Sequence, residues 1–298
     1  MENRLNLDDI MTEQELREPG FYHLSNYDYQ KAKGLSKSKM SLLFGPKPKL
    51  SDEAMESGEM FHTSILEPDE FDGRYIVLPD DCKPGSGPGM KARKEAFLAL
   101  ADAENKKIVD PSKLEPFRKM REAVLSHPAV QEYGLLKDGE AELSGFWFDP
   151  DYQVLTKVRL DYINKKNRVI SDLKTTKDCT EHAFFEQAYK LDYDLQAAHY
   201  LYTVTRLTGV THDRFFFIAV NKKPTYDFAD NEIYGVMVYE ANANDEFINS
   251  GLLKRAKALT IYNECLESGK WPGYAQELKP MSLPGWVKRK ENNIPIFE

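Results

Sequence analysis

Between residues 141 and 174 the hydrophobic pattern switches from a helical period to strand-like alternation, and this switch limits the fold more than any other feature. Residues 141–148 (AELSGFWF), 154–163 (VLTKVRLDYI) and 168–174 (RVISDLK) read as short strands separated by turns at DPDY and NKKN. They form a three-strand meander. A helical stretch from about Thr180 to Leu207 follows, then the apolar run FFFIAV at 215–220, which suits a buried strand. Strand-helix-strand units cross over right-handedly, so this strand is expected to lie parallel to the third strand of the meander. Residues 232–239 (EIYGVMVY) are expected to add an edge strand, and 243–268 a closing helix. The expected fold is α/β (α+β), a mixed central sheet flanked by helices in the order α-β-β-β-α-β, with helical additions.

Those additions lie before the meander. Ser36 and Ser38 can cap a helix through Met40, Leu42 and Leu43 that Pro46 and Pro48 stop. Ala54, Gly58, Phe61 and Ile65 recur at helical spacing from Asp52 to Leu66 and place His62 on a helix. Residues 80–95 (DDCKPGSGPGMKARKE) read as a mobile loop bearing Lys83, Lys91, Arg93 and Lys94, and helical pattern resumes at Lys94–Ala101 and Pro111–Ser126.

Composition excludes several classes. With 298 residues, 41% of them hydrophobic, the chain can bury a sizeable core, yet it has no apolar run of membrane-spanning length and no signal-peptide layout at its start. A cytoplasmic location is expected, with no membrane partner. Cys82, Cys179 and Cys265 lie far apart and make neither a disulfide framework nor a zinc site. A net charge of −8 argues against coating nucleic acid by bulk electrostatics, but leaves room for a DNA enzyme that gathers lysines locally and neutralises carboxylates with metal.

Strand alternation places Lys157, Arg159 and Asp161 on one face and Val154, Val158 and Leu160 on the other, and puts Asp172 beside Lys174. Two carboxylates from neighbouring strand ends, with a lysine two residues beyond the second, suit Mg²⁺, a hard ion that prefers oxygen ligands. Phosphodiester hydrolysis needs an acidified water, offset of the extra charge on phosphate and a stabilised leaving oxygen, all of which metal supplies. Lys174 would orient or deprotonate the water, or stabilise charge on the phosphate. Gln196 and Tyr200 share a helical face at i and i+4. Gly58, four residues before His62, would let another backbone or a DNA strand come close. Read one at a time, these residues are equally at home as core side chains or surface ion pairs.

As a set they match a pattern. Gly58-x-x-x-His62, Glu142, Asp161 after R-x-D, Asp172-Leu173-Lys174 and Gln196-x-x-x-Tyr200 occur in the order seen in RecB-like PD-(D/E)XK nucleases. FYHLSNYDY with GLSKSKM, GEMFHTSILEPDEFDGRYIV, ISDLKTTKD, LDYDLQAAHYLY and MSLPGWVK make the chain resemble more closely the nuclease domain of RecE, exonuclease VIII, and its phage-borne relatives. The resemblance runs from about Gly20 to Lys288. It implies an N-terminal arm at 1–19, a PD-(D/E)XK exonuclease domain at 20–288 and a tail at 289–298, in a stand-alone phage or prophage version.

By the same resemblance, the chain digests one strand of linear double-stranded DNA from its 5′ end and leaves a 3′ single strand for a phage-type strand-annealing recombinase. It would work as a tetrameric ring with Mg²⁺, or Mn²⁺, one or two ions per site. His62, Asp161, Asp172 and the Leu173 carbonyl would ligate metal, with Glu142 in a lesser, supporting or second-metal role. Lys174 would be the catalytic lysine, and Gln196 and Tyr200 would support the site or contact DNA. Ser36, Ser38, Arg159, Thr175 and Thr176 would be DNA contacts. The alternatives are another RecB-like nuclease, endonucleolytic or specific for single strands, and a non-catalytic DNA-binding relative.

Overall fold

The computed structural model describes residues 18–47, 52–274, 277–278 and 280–283. Pro48, the expected arm apart from residues 18 and 19, the end of MSLPGWVK and the tail at 289–298 lie outside them.

The N-terminal part builds β1 (Gly20–Tyr22), α1 (Asn26–Lys31), β2 (Leu35–Ser36), α2 (Lys37–Leu42), α3 (Asp52–Leu66), α4 (Phe71–Arg74), β3 (Tyr75–Val77), α5 (Met90–Ala103), β4 (Lys107–Val109), α6 (Pro111–Ser126) and α7 (Pro128–Glu132). The meander follows as β5 (Glu140–Asp149), β6 (Val154–Asn164) and β7 (Val169–Thr176). Then come α8 (Glu181–Lys190), α9 (Tyr193–Thr208), β8 (Arg214–Asn221), β9 (Thr225–Tyr226), β10 (Glu232–Ile233), β11 (Val236–Asn242) and α10 (Glu246–Ser268). Local chemistry sets several boundaries. Asp110 caps α6 by accepting from the Ser112 amide at 2.8 Å, with Pro111 in the first turn, where no amide donor is needed.

The central sheet has the order β1-β5-β6-β7-β8-β11, with β2 paired to β6. The meander is antiparallel throughout, β7 and β8 run parallel as expected, and β11 lies antiparallel to β8. One face carries Val158, Leu160, Ile170, Phe215 and Phe217 against α8, α9 and α10. The other presents Leu173, Phe216, Ile218 and Val220 to Phe61 and Ile65 of α3 and to Met120 and Val124 of α6. Among the described residues no helix is long and apolar enough to cross a membrane.

Three expectations need correction. The stretch expected as one helix from Thr180 to Leu207 is two, because the chain turns at Leu191–Asp192, where Asp192 takes a left-handed φ of 53°. Three lysines from distant segments hold this turn. Lys37 Nζ donates to the Leu191 carbonyl at 2.5 Å, while Lys47 and Lys254 pair with the Asp192 carboxylate at 3.2 and 3.1 Å. The apolar period continues through the break, so periodicity alone could not reveal it. The loop expected over 80–95 contains the start of α5, and Arg93 is occupied in folding it: its guanidinium donates to the carbonyls of Asp81, Ser86 and Pro88. The segment 232–239 divides at Tyr234–Gly235, and only its second half joins the central sheet as β11. Its first half pairs with β9 in a separate hairpin.

Helices α9 and α10 approach so closely that a Cβ on Gly251 would sit 2.0 Å from the Asp194 carbonyl oxygen. Behind them Arg255 reaches the fully buried Asp149 at 2.6 Å and His199 at 3.3 Å. Burial, with Arg255 adding to it, pushes His199 down to about 3, so its ring is neutral and tied to the Lys157 carbonyl.

Candidate active site

Strands β6 and β7 pair only at Tyr162–Ser171, Ile163–Ile170 and Asn164–Val169. The next partners in that register are Asp161 and Asp172. There the strands part, and further back the freed edge of β6 pairs with β2 at Thr156 and Lys157. Asp161 bridges the fork, since its Oδ2 accepts from the Leu173 amide at 2.8 Å, where a strand carbonyl would otherwise serve. The sheet itself thus delivers a carboxylate to the gap.

On the other side of β6 the ladder skips a pair as well. It runs from Ala141–Tyr162 to Leu143–Leu160, leaving Glu142 and Asp161 unbonded across the strands. Glu142 has a φ of 52°, a left-handed conformation inside an otherwise extended strand, which costs on the order of 1–2 kcal/mol. Strain of this kind persists where surrounding structure enforces it, and gathers at functional sites. Helix α3 completes the cluster from above with His62, whose Nδ1 lies 3.5 Å from Asp161 Oδ2. Ligand atoms of His62, Glu142 and Asp161 all fall within 4.8 Å of one another.

The electrostatics suit a cation. Burial, with Asp172 next, raises the Asp161 carboxyl to about 7. Glu142 is also raised, by burial and by Asp161, although Arg159 opposes this through a 2.7 Å bond from its Nε. His62 is lowered by burial, which leaves its ring neutral and able to ligate. Two close carboxylates held high and a neutral imidazole are a donor set that a hard divalent ion would satisfy.

Asp172 stands beside this cluster rather than in it. It is 1% exposed, its Oδ1 accepts from Gln196 and its Oδ2 pairs with Lys174. Burial alone would lower Lys174, but Asp172, Tyr193 and Asp161 together carry it above its ordinary value, so it remains an ammonium. The Leu173 carbonyl lies near the His62 ring and raises its basicity, in keeping with an oxygen that faces the site.

The remaining expected residues have definite places. Tyr200 is buried, with a backbone contact to Arg159, so it braces β6 and is out of reach of DNA. Arg159 lines the cleft but is committed to Glu142 and to the Leu24 carbonyl at 2.7 Å, which leaves little of it for a phosphate. Thr176 is buried, its hydroxyl donating to Gln187 and Asp178, whereas Thr175 opens on the cleft. Ser36 caps α2 by accepting from the Lys39 amide at 3.5 Å, and Ser38 is exposed within a helix of only six residues. Among the described residues, a Cβ on Gly58 would find nothing within 4 Å, and that side of α3 opens on the cleft.

Residue-by-residue reading missed four side chains. Tyr193 has Lys174 and Lys37 over its ring at 5.0 and 5.7 Å. Lys37 is lowered to about 8 by burial and by Lys174. Lys177 and Lys222 line the same cleft from the ends of β7 and β8. Tyr193 could have been found, since it lies three residues before Gln196 and so on the same helical face. The lysines carry no pattern of their own.

Residues 33–282 match a family model described as a PDDEXK-like domain of unknown function (DUF3799). No curated protein matches the sequence. Among solved structures, a provisionally assigned exonuclease from Eubacterium rectale is similar at 13% identity and a TM-score of 0.48, covering 91% of this chain and 99% of its own. A phage-related exonuclease from Haemophilus somnus has 13% identity and a TM-score of 0.33, covering 80% and 97%. At this identity and these scores both are distant likenesses.

Proposed function

We propose that this chain, which belongs to the PDDEXK-like family, is a divalent-metal-dependent exonuclease that digests one strand of linear duplex DNA. The observation that carries this reading is the convergence of His62, Glu142 and Asp161 within 4.8 Å at the forked strands, beside an ammonium group on Lys174. His62, Glu142 and Asp161 would hold the ion, with the Leu173 carbonyl as a further oxygen, and Mg²⁺ or Mn²⁺ fits such donors. When bound, the ion supplies Lewis-acid charge at the scissile phosphate.

The chain's own residues supply the rest. Lys174, kept cationic by Asp172, faces the cleft where a phosphoryl oxygen gathers charge in the transition state, and stabilises it there. Gln196 holds Asp172, and Asp172 holds Lys174, so the ammonium is fixed before substrate arrives. Arg159 balances Glu142 while no cation is present. Work from the 5′ end, a tetrameric ring, and delivery of a 3′ strand to an annealing recombinase are parts of the proposal supported by the resemblance to RecE.

Digestion of linear duplex labelled at the 5′ or the 3′ end, with Mg²⁺ or EDTA, tests the reading. The 5′ label is expected to be released first, only with metal, while closed circles survive. Lys174→Ala should slow digestion roughly 10²- to 10³-fold with unchanged circular dichroism. Rapid cleavage of closed circles would instead support an endonuclease.

A further inference from the structure

Lys222 lines the active-site cleft, and three residues beyond it the chain leaves the sheet as the hairpin β9–β10. At the hairpin's tip Phe228 is 107% exposed, and Tyr226 beneath it is 67% exposed. A single exposed apolar side chain is ordinary on a protein surface. What distinguishes this one is the structure that displays it.

The Asp227 carboxylate accepts from the amides of Ala229 and Asn231 at 2.8 and 2.9 Å and from the Asn231 side chain at 3.0 Å. The Asp227 amide in turn donates to the Asn231 carbonyl at 3.1 Å. The tip is therefore a turn closed by these bonds, with the ring outside it. Its base is fixed too, because Glu232 pairs with Lys119 of α6. A rigid mount that holds an aromatic ring in water gains nothing for folding, since burying such a ring would contribute about 2–3 kcal/mol.

We infer that Phe228 is a stacking pin for DNA: its ring lodges against the terminal bases of the duplex and holds the end frayed, so that one strand can enter the cleft. This rests on the nuclease reading and deepens it. Three features carry it. The hairpin springs from the rim of the cleft, and six residues of chain put Phe228 within roughly 20 Å of Lys222, a span of about six nucleotides. At its root, Lys177, Lys222 and Lys223 are exposed at the ends of β7 and β8 and offer positive charge to a phosphate backbone. The tip itself bears Asp227 and Asp230, which repel phosphates, so what meets the tip is a base and not the backbone. Lysines tracking the backbone beside an aromatic that takes a base is the chemistry by which single strands are held.

The test compares the parent with Phe228→Ala and Phe228→Trp. Because the ring touches solvent on all sides, neither change should disturb folding. On blunt duplex with Mg²⁺, Phe228→Ala should be slower by roughly five- to a hundredfold, while Phe228→Trp stays near the parent. On single strands, and on duplex whose last few bases are mismatched, Phe228→Ala should be slowed several-fold less than on blunt duplex, because no pairs remain to be opened. Equal rates on blunt duplex, or equal slowing on every substrate, would overturn the inference. A second measurement does not depend on catalysis. In EDTA, the extra fluorescence of Phe228→Trp over the parent should be quenched by frayed duplex, and absence of quenching would overturn the pin. Failure of the parent to digest any DNA, with quenching intact, would fault the nuclease reading and leave the pin standing.

Discussion

Asp161 closes the fork between the strands and, in the proposed function, also holds the ion, so its ionisation would couple the two. In the metal-free chain its carboxyl titrates at about 7, against roughly 3.9 in an unfolded chain. Folding therefore favours the protonated form. That contribution is complete below about pH 4 and is lost as pH rises through 7. The divalent ion of the proposed function would require the carboxylate, so its binding would expel a proton and tighten with pH. Apparent metal affinity is expected to climb steeply, approaching tenfold per pH unit, between about pH 5 and 7 and to level off above. Titration calorimetry in buffers of different ionisation heat would follow both the affinity and the released proton. Affinity that stays flat from pH 5 to 8 would show that Asp161 is not the group being displaced. At this scale sequence gave the identities of the residues more readily than their duties. Asp161, Asp172, Lys174, His62 and Gln196 do meet. Glu142, ranked lowest as a ligand, is in the cluster, and Asp172, ranked among the first, is outside it. Alternation assigns a face to each side chain, but a fork and a left-handed residue override alternation, and neither leaves a trace in composition.

At the scale of elements, the meeting of α9 and α10 sets how firmly the site is backed. Helix α9 brings Gln196 and Tyr193 to Asp172 and Lys174, and it can do so because Gly251 lets α10 press against the Asp194 carbonyl. Gly251→Ala should push the helices apart and cost about 1–3 kcal/mol, read as a lower urea midpoint at unchanged slope. Activity should fall with it, because α9 carries Gln196. If the variant keeps both midpoint and rate, the close approach has no mechanical role. Long, strongly periodic elements were legible: β5, β6, β7, β8, α3, α6 and α10 lie close to where their patterns put them. Short ones were not. The six-residue α1 and the two-residue β2 are too brief to show a period, although α1 supplies the Tyr29 carbonyl to the buried Lys157, and β2 fills the edge that β7 vacates.

For the molecule as a whole, charge is unevenly used. The chain is acidic by eight charges, yet Lys174, Lys177 and Lys222 open on one cleft with Lys223 beside them. Four lysines meeting phosphates would release about four counterions, so the logarithm of DNA affinity should fall with the logarithm of salt at a slope of roughly −3 to −4. Lys222→Ala should reduce that slope by about one, which fluorescence anisotropy without divalent metal can measure. A slope near zero would mean that the cleft does not receive the backbone. Overall charge, the most accessible number in the sequence, therefore points away from nucleic acid, whereas the proposal rests on lysines that folding gathers from the ends of two strands onto one rim.

The bond from the Leu173 amide to Asp161 has one more consequence. That amide is a backbone group whose partner belongs to the candidate metal cluster, so its proton would report on the site's occupancy from within the sheet. A cation that drew electron density from the carboxylate would weaken this bond and shift the Leu173 resonance without touching the strand. The nitrogen of a core residue becomes a built-in gauge of whether the nuclease is armed.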